Sequence, residues 1–212
     1  MAITLQSRYR SLEPLDFYNM EEEAGMMQKS VLAVIGANLF GLAMLVCGSL
    51  AAADEPEWSN PVIKDYGKIV ALPKAAMQPD RNAEYKVVFN LTAGGDPDKV
   101  NSSLDRVART VNIFASAGVP ASHLHFVVVI HGPATPMVLD NAHYQEKFKF
   151  DNPNIALIDE LEKAGVKVVV CGQALAHNKI AHEWVNPKVE LTLSAITDVV
   201  ILEKNGYVLF PL

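Results

Sequence analysis

Apolar and polar positions alternate in two rhythms along the carboxy-terminal two thirds of the chain. Tyr85-Lys86-Val87-Val88-Phe89-Asn90-Leu91 is a short run rich in β-branched and aromatic residues, which predicts a strand. Thr92-Ala93-Gly94-Gly95 is a turn, and Asp96-Pro97 offers a cap followed by proline at the first helical position. Val100, Leu104, Val107, Val111 and Phe114 then mark one face of a helix that Gly118 closes. His125 to Ile130 is apolar without alternation, as expected of a strand covered on both faces. Residues 134–150 read as a short helix and a loop. Asn152-Pro153 repeats the cap-plus-proline signal ahead of a helix lined by Ile155, Ile158 and Leu161. Val166 to Val170 is a third strand, residues 173–184 a helix broken by Pro187, and 189–191 a short strand. A helix over 194–204 stops at Asn205-Gly206, before a last strand over 207–210.

Strands alternating with helical crossovers predict an α/β fold, a three-layer sandwich with a mainly parallel sheet. In such sheets ligands bind beyond the carboxyl ends of the strands. Asn90 with Thr92 and Gly94, then His131-Gly132, and then Cys171-Gly172-Gln173 stand at three of those ends. A parallel sheet places all three turns on one edge.

The amino-terminal quarter follows a different pattern. Residues 31–53 are almost free of charge and follow Met26-Met27-Gln28-Lys29; Ala51 and Ala53 occupy the −3 and −1 positions of an A-x-A cleavage site. We read 26–53 as a signal peptide removed on export, against a retained anchor helix. Residues 1–25, with Glu21-Glu22-Glu23, read as a mis-assigned start or leader extension, Met26 or Met27 being the natural initiator. Residues 54–84, rich in Pro, Asp and Lys, read as an extended arm packed on the domain or on a neighbouring subunit. The domain proper is 85–212. The expected location is the periplasm, with no membrane contact after cleavage.

Composition narrows the chemistry. Of 212 residues, 50% are apolar and 20% charged, which suits a folded globular chain. A net charge of −6 argues against nucleic-acid binding. The two cysteines build no disulfide framework. Cys47 leaves with the signal, so Cys171 is the one thiol of the exported chain. Placed after a buried strand and ahead of a helix, it suits nucleophilic or sulfur-carrying chemistry, because a helix amino end stabilises a thiolate. The plainer reading is a packed core cysteine. His131, on the adjacent strand end, could relay a proton or merely cap a turn. His177 and His182 do not share a helix face. His123 and His125 share a strand face without a third ligand of useful spacing. No metal site and no cofactor are expected: Gly94-Gly95 lacks the phosphate-loop patterns, and Asp96 and Asp98 would repel an anion.

At these residues the sequence resembles the DsrE/DsrF-like family of small sulfur-relay proteins, in its exported branch. The resemblance runs from about Asn60 to Leu212. It is carried by Tyr85 to Phe89, by Val129-Ile130-His131-Gly132-Pro133-Ala134, by Val169-Val170-Cys171-Gly172-Gln173, and by Asn205-Gly206-Tyr207. It implies a compact flavodoxin-like sheet, assembly as homo-oligomers, and a cysteine that accepts sulfur as a persulfide and passes it on. Cys171 matches the family's frequent cysteine after the third core strand. A sulfur donor or acceptor protein, or a small thiol, is then the expected partner. The alternative is a non-enzymatic oligomeric module that binds a small ligand or a protein at the same edge.

Overall fold

A computed structural model describes residues 55–212. The proposed leader extension 1–25, the signal peptide 26–53 and its Cys47 lie outside the described residues. Among the described residues no helix is long and apolar enough to cross a membrane.

The elements, in chain order, are β1 (Trp58–Ser59), β2 (Ile69–Val70), β3 (Tyr85–Leu91), α1 (Ser102–Ser116), β4 (Leu124–Ile130), α2 (Asn141–Phe148), α3 (Ile155–Lys163), β5 (Lys167–Cys171), α4 (Gly172–His177), β6 (Glu190–Thr192), α5 (Ala195–Lys204) and β7 (Val208–Pro211). β1 and β2 form a small antiparallel pair. The other five strands make one sheet in the order β6-β5-β4-β3-β7, every pairing parallel. The fold is therefore α/β with helices on both faces of a parallel sheet.

Side-chain alternation divides the core in two. Phe89, Leu91, Phe126, Val128, Ile130, Val168 and Val170 point toward α1 and α3, where they meet Leu104, Val107, Leu157 and Leu161. Val88, Val127, Val129, Val169 and Cys171 point to the other face, where Ala195, Val199 and Leu202 of α5 cover them. The unalternating valine runs follow from this double burial. The return from β6 at one edge to β7 at the other carries α5 across that second face.

Three expected boundaries shift. Helix α1 does not begin at Asp96-Pro97. It begins at Ser102, because the Asn101 side chain accepts from the Ser103 and Leu104 amides and donates to the Ala93 and Gly94 carbonyls. The 173–184 helix is only α4, six residues long, followed by irregular chain and a 3-10 turn over His182–Trp184. Residues 134–150 divide into a 3-10 segment, Gly132–Val138, and α2.

The 54–84 arm is more anchored than its composition suggests. Ile63 and Ile69 are buried in the larger cluster or beside it. Asn112, fully buried on α1, accepts from the Val62 and Ile63 amides and donates to the Ile63, Tyr66 and Gly67 carbonyls. Asp105 accepts from the Gly67 amide at 2.7 Å. Five bonds from one side chain fasten the arm to the domain.

Candidate functional site

The carboxyl edge of the sheet gathers most of the residues singled out above. Asn90 is paired with Val129, Ile130 with Val170, and Cys171 with Thr192. His131 and Cys171 thus stand one step past a matched pair on adjacent strands. Alternation turns Asn90, His131, Cys171 and Thr192 toward the α5 face.

His131 is held by Asn90, whose Oδ1 lies 2.7 Å from Nε2. A carbonyl oxygen only accepts, so Nε2 carries the hydrogen and Nδ1 keeps its lone pair. Burial pulls this imidazole below its ordinary pKa, so the ring is neutral at neutral pH with Nδ1 as its unprotonated nitrogen.

Cys171 ends β5 and caps α4. Its Sγ accepts from the Ala174 amide at 3.4 Å. The residue is only 5% exposed. It packs among Val129, Val169 and Ala195, with Val199 and Tyr207 at the margin. Gly172 explains how tightly this edge closes: a Cβ there would come within 2.8 Å of the Thr192 carbonyl oxygen and 3.3 Å of Leu191. Gln173 adds a bond from Nε2 to the Leu193 carbonyl. Thr192 and Asp198, which the sequence did not mark, are bonded at 2.5 Å and join the end of β6 to α5. The adjacent strands β5 and β6 send their chains to opposite faces here, since Leu175 of α4 lies in the larger cluster and Ala195 of α5 in the smaller. Such divergence is where open α/β sheets place their sites.

The other marked residues serve neighbouring parts of the edge. Thr92 is drawn to the chain end, both its amide and its hydroxyl donating to the Leu212 carbonyl. Gly94 lies against Pro133, whose carbonyl oxygen would be 2.7 Å from an added Cβ. Gly132 has φ +58 and open space around it, which allows the sharp exit from β4.

Beside this row is a cleft of about 220 Å³, lined by Gly94, Pro133, Met137, Tyr144 and Phe148 with Lys99 and Asp96 among its polar groups. Lys99 and Asp96 form a 2.7 Å ion pair, and Lys99 holds the Asp96 carboxyl below its usual range. The Tyr144 hydroxyl donates to the Pro97 carbonyl. Tyr144 and Phe148 had no signal in the sequence, because only the fold of α2 against the β3–α1 turn brings them here. Among the described residues no group of three His, Cys, Asp or Glu side chains is placed to hold a metal ion.

A family model, described as "DsrE/DsrF-like family", matches residues 85–211. Among solved structures the chain is similar to a protein of unknown function, MTH1491, from Methanobacterium thermoautotrophicum. The identity is 15% and the TM-score 0.42, over 61% of this chain and 100% of that one. No curated protein matches.

Proposed function

The chain belongs to the DsrE/DsrF-like family, and from that premise we propose that it is an exported sulfur-handling protein whose Cys171 accepts sulfur as a persulfide. The observation that carries the reading is the position of the sulfur. It sits at the carboxyl edge of the sheet, accepts a backbone N–H from Ala174, and stands beside the strand end that bears a neutral His131. His131 supplies the proton acceptor.

The transfer balances without an oxidant. The Cys171 thiolate attacks the outer sulfur of a donor persulfide, R–S–SH. A new S–S bond forms at Cys171, the donor's S–S bond breaks, and its electron pair leaves on RS⁻. The product is Cys171–S–SH. For the donor to reach Sγ, Ala195 and the chain just before α5 have to lean away. Export follows from the leader at 26–53, and the compartment is the periplasm. The donor or acceptor is a small thiol or a thiol-bearing protein.

The test is sulfane-sulfur loading from a small persulfide donor, in a Cys47→Ser background so that Cys171 is the sole thiol. One sulfane sulfur per chain is expected, falling to background in Cys171→Ser. Equal loading in both proteins would refute the role of Cys171.

The burial of Cys171 favours a second reading, a binding module without a reacting thiol. Its ligand would occupy the cleft between Gly94, Pro133 and Tyr144. Under that reading Cys171→Ser leaves binding intact and Tyr144→Ala abolishes it.

The proposed assembly is a homo-oligomer. The outer side of α5 and its surroundings are apolar and open: Ile196 is 79% exposed, and Leu193, Val200 and Ile201 are also uncovered. Edge strand β7 adds Val208, Leu209 and Phe210. Strand addition is disfavoured there. Leu212 bonds inward to β3, so alternation turns Pro211 outward, and proline has no N–H to offer. Association therefore uses side chains, and a second copy of the same apolar face matches it best. Light scattering is expected to give a multiple of the chain mass for the wild type. Ile196→Asp with Val200→Asp should give the monomer with unchanged circular dichroism. A monomeric wild type would contradict the proposal.

A further inference from the structure

Helix α5 covers Cys171, yet it is lightly seated. Of its residues only Ala195 is buried, whereas α1 buries Leu104, Val107, Ala108 and Val111 on the opposite face of the sheet. Val199 and Leu202 are partly buried against the smaller core. Ile196, Val200 and Ile201 are more than half exposed. Buried apolar contact is what resists local opening, so α5 belongs to the low-stability part of this molecule. The thiol therefore lies under the element that opens most easily, while the larger core stays closed on the other face.

Two side-chain tethers fasten the chain where β6 passes into α5. Gln173 of α4 donates from Nε2 to the Leu193 carbonyl at 3.3 Å. Thr192, the residue paired with Cys171 across the sheet, holds Oγ1 at 2.5 Å from Asp198 Oδ2 and at 3.1 Å from the Val170 carbonyl oxygen. A hydroxyl has one hydrogen, and both of these neighbours accept. The hydrogen goes to the nearer carboxylate oxygen, in a charge-assisted bond of the length usual for that type. Asp198 thus ties the first turn of α5 to the strand residue beside the thiol. That turn is also closed on itself. The Ile196 amide donates to the Ser194 hydroxyl and the Thr197 hydroxyl to the Ser194 carbonyl, so it moves as one piece.

We propose that Thr192 and Asp198 form the latch of a cover over Cys171. While their bond holds, Ala195 stays packed against the sulfur. When it breaks, the first turn of α5 lifts from the sheet edge and Sγ meets solvent. The inference deepens the persulfide reading, because it says how a donor gains entry to Sγ, and it rests on that reading for its use. Its geometry stands without it. A thiol that is closed except during such openings is also shielded from oxidation. Thr192 and Asp198 are positioning residues: they control access and take no part in the sulfur exchange.

The test is the rate at which iodoacetamide alkylates Cys171 in the full chain, in the Cys47→Ser background, at fixed pH and chain concentration. Thr192→Val keeps shape and charge and should label faster by about tenfold or more, the factor carried by a hydrogen bond to a charged group. Because it changes no charge, a faster rate there reports exposure of the sulfur. Thr192→Ser restores the hydroxyl and should label at the wild-type rate. Asp198→Ala should also label faster, and the double variant with Thr192→Val no faster than the faster single one. Dilute urea separates the latch from a loss of overall stability. Lifting one turn exposes little surface, so the labelling rate stays flat at low urea, whereas labelling through global unfolding climbs from the outset. A wild-type rate in Thr192→Val, or a rate that climbs with the first addition of urea, overturns the proposal. Sulfane-sulfur loading is read separately. A Thr192→Val protein that alkylates fast yet takes up no sulfane sulfur would uphold the latch and remove the sulfur role.

Discussion

Replacing Asn112 with leucine is expected to cost about 3–5 kcal/mol of folding stability, because several buried backbone groups lose their partners at about 1–3 kcal/mol each. The change keeps the side-chain volume nearly constant and removes every polar atom. The Val62 and Ile63 amides and the Ile63, Tyr66 and Gly67 carbonyls all bond to this one carboxamide. Water cannot easily replace it, since Asn112 is 0% exposed and Ile63 is 1% exposed. For a chain of this size the loss corresponds to a melting point lower by about 10 °C. Hydrogen exchange should localise the damage, with amides in 60–70 losing protection before those of β3, β4 and β5. Wild-type protection in that segment would mean that the clamp contributes little.

Gly67→Ala attacks the same joint from the other side and is expected to cost about 3 kcal/mol, above the usual range of about 1–2 kcal/mol for left-handed backbone alone. Gly67 has φ +58, and an added Cβ would fall 2.1 Å from the Arg109 amide nitrogen and 2.5 Å from the Ala108 carbonyl carbon. Both are backbone atoms of α1 and cannot swing aside. The arm would have to lift, breaking the Gly67 amide bond to Asp105 as well. Because both substitutions free the same segment, the double variant should cost clearly less than the sum of the two. Denaturant unfolding of the four proteins measures this coupling. Strict additivity would show that the arm is held by two independent contacts.

Strands β4 and β5 were legible because their runs are β-branched and uninterrupted, and both of their faces are covered. The faces of α1 and α3 were legible because helical spacing repeats locally. The start of α1 was not. Asp96-Pro97 carries a sound local signal, but Asn101 captures the cap by reaching back to Ala93 and Gly94 while Asn154, from another part of the chain, accepts its amide. The arm looked irregular because its main order comes from Asn112, not from any repeat within it. Helix α4 ends early because, beyond His177, Lys179 takes a left-handed φ of +56 and Ile180 turns in to the core.

The candidate site divides in the same way. Sequence alone determined which residues reach the carboxyl edge of a parallel sheet, since strand order along the chain and short turns dictate it: Asn90, His131 and Cys171. Tertiary structure decided what surrounds them. The crossing of α5 over the second face, from β6 to β7, buries the Cys171 sulfur under Ala195 and Val199. Periodicity records only which face a residue takes within its own element. Which elements meet across that face depends on how the whole chain closes its two cores.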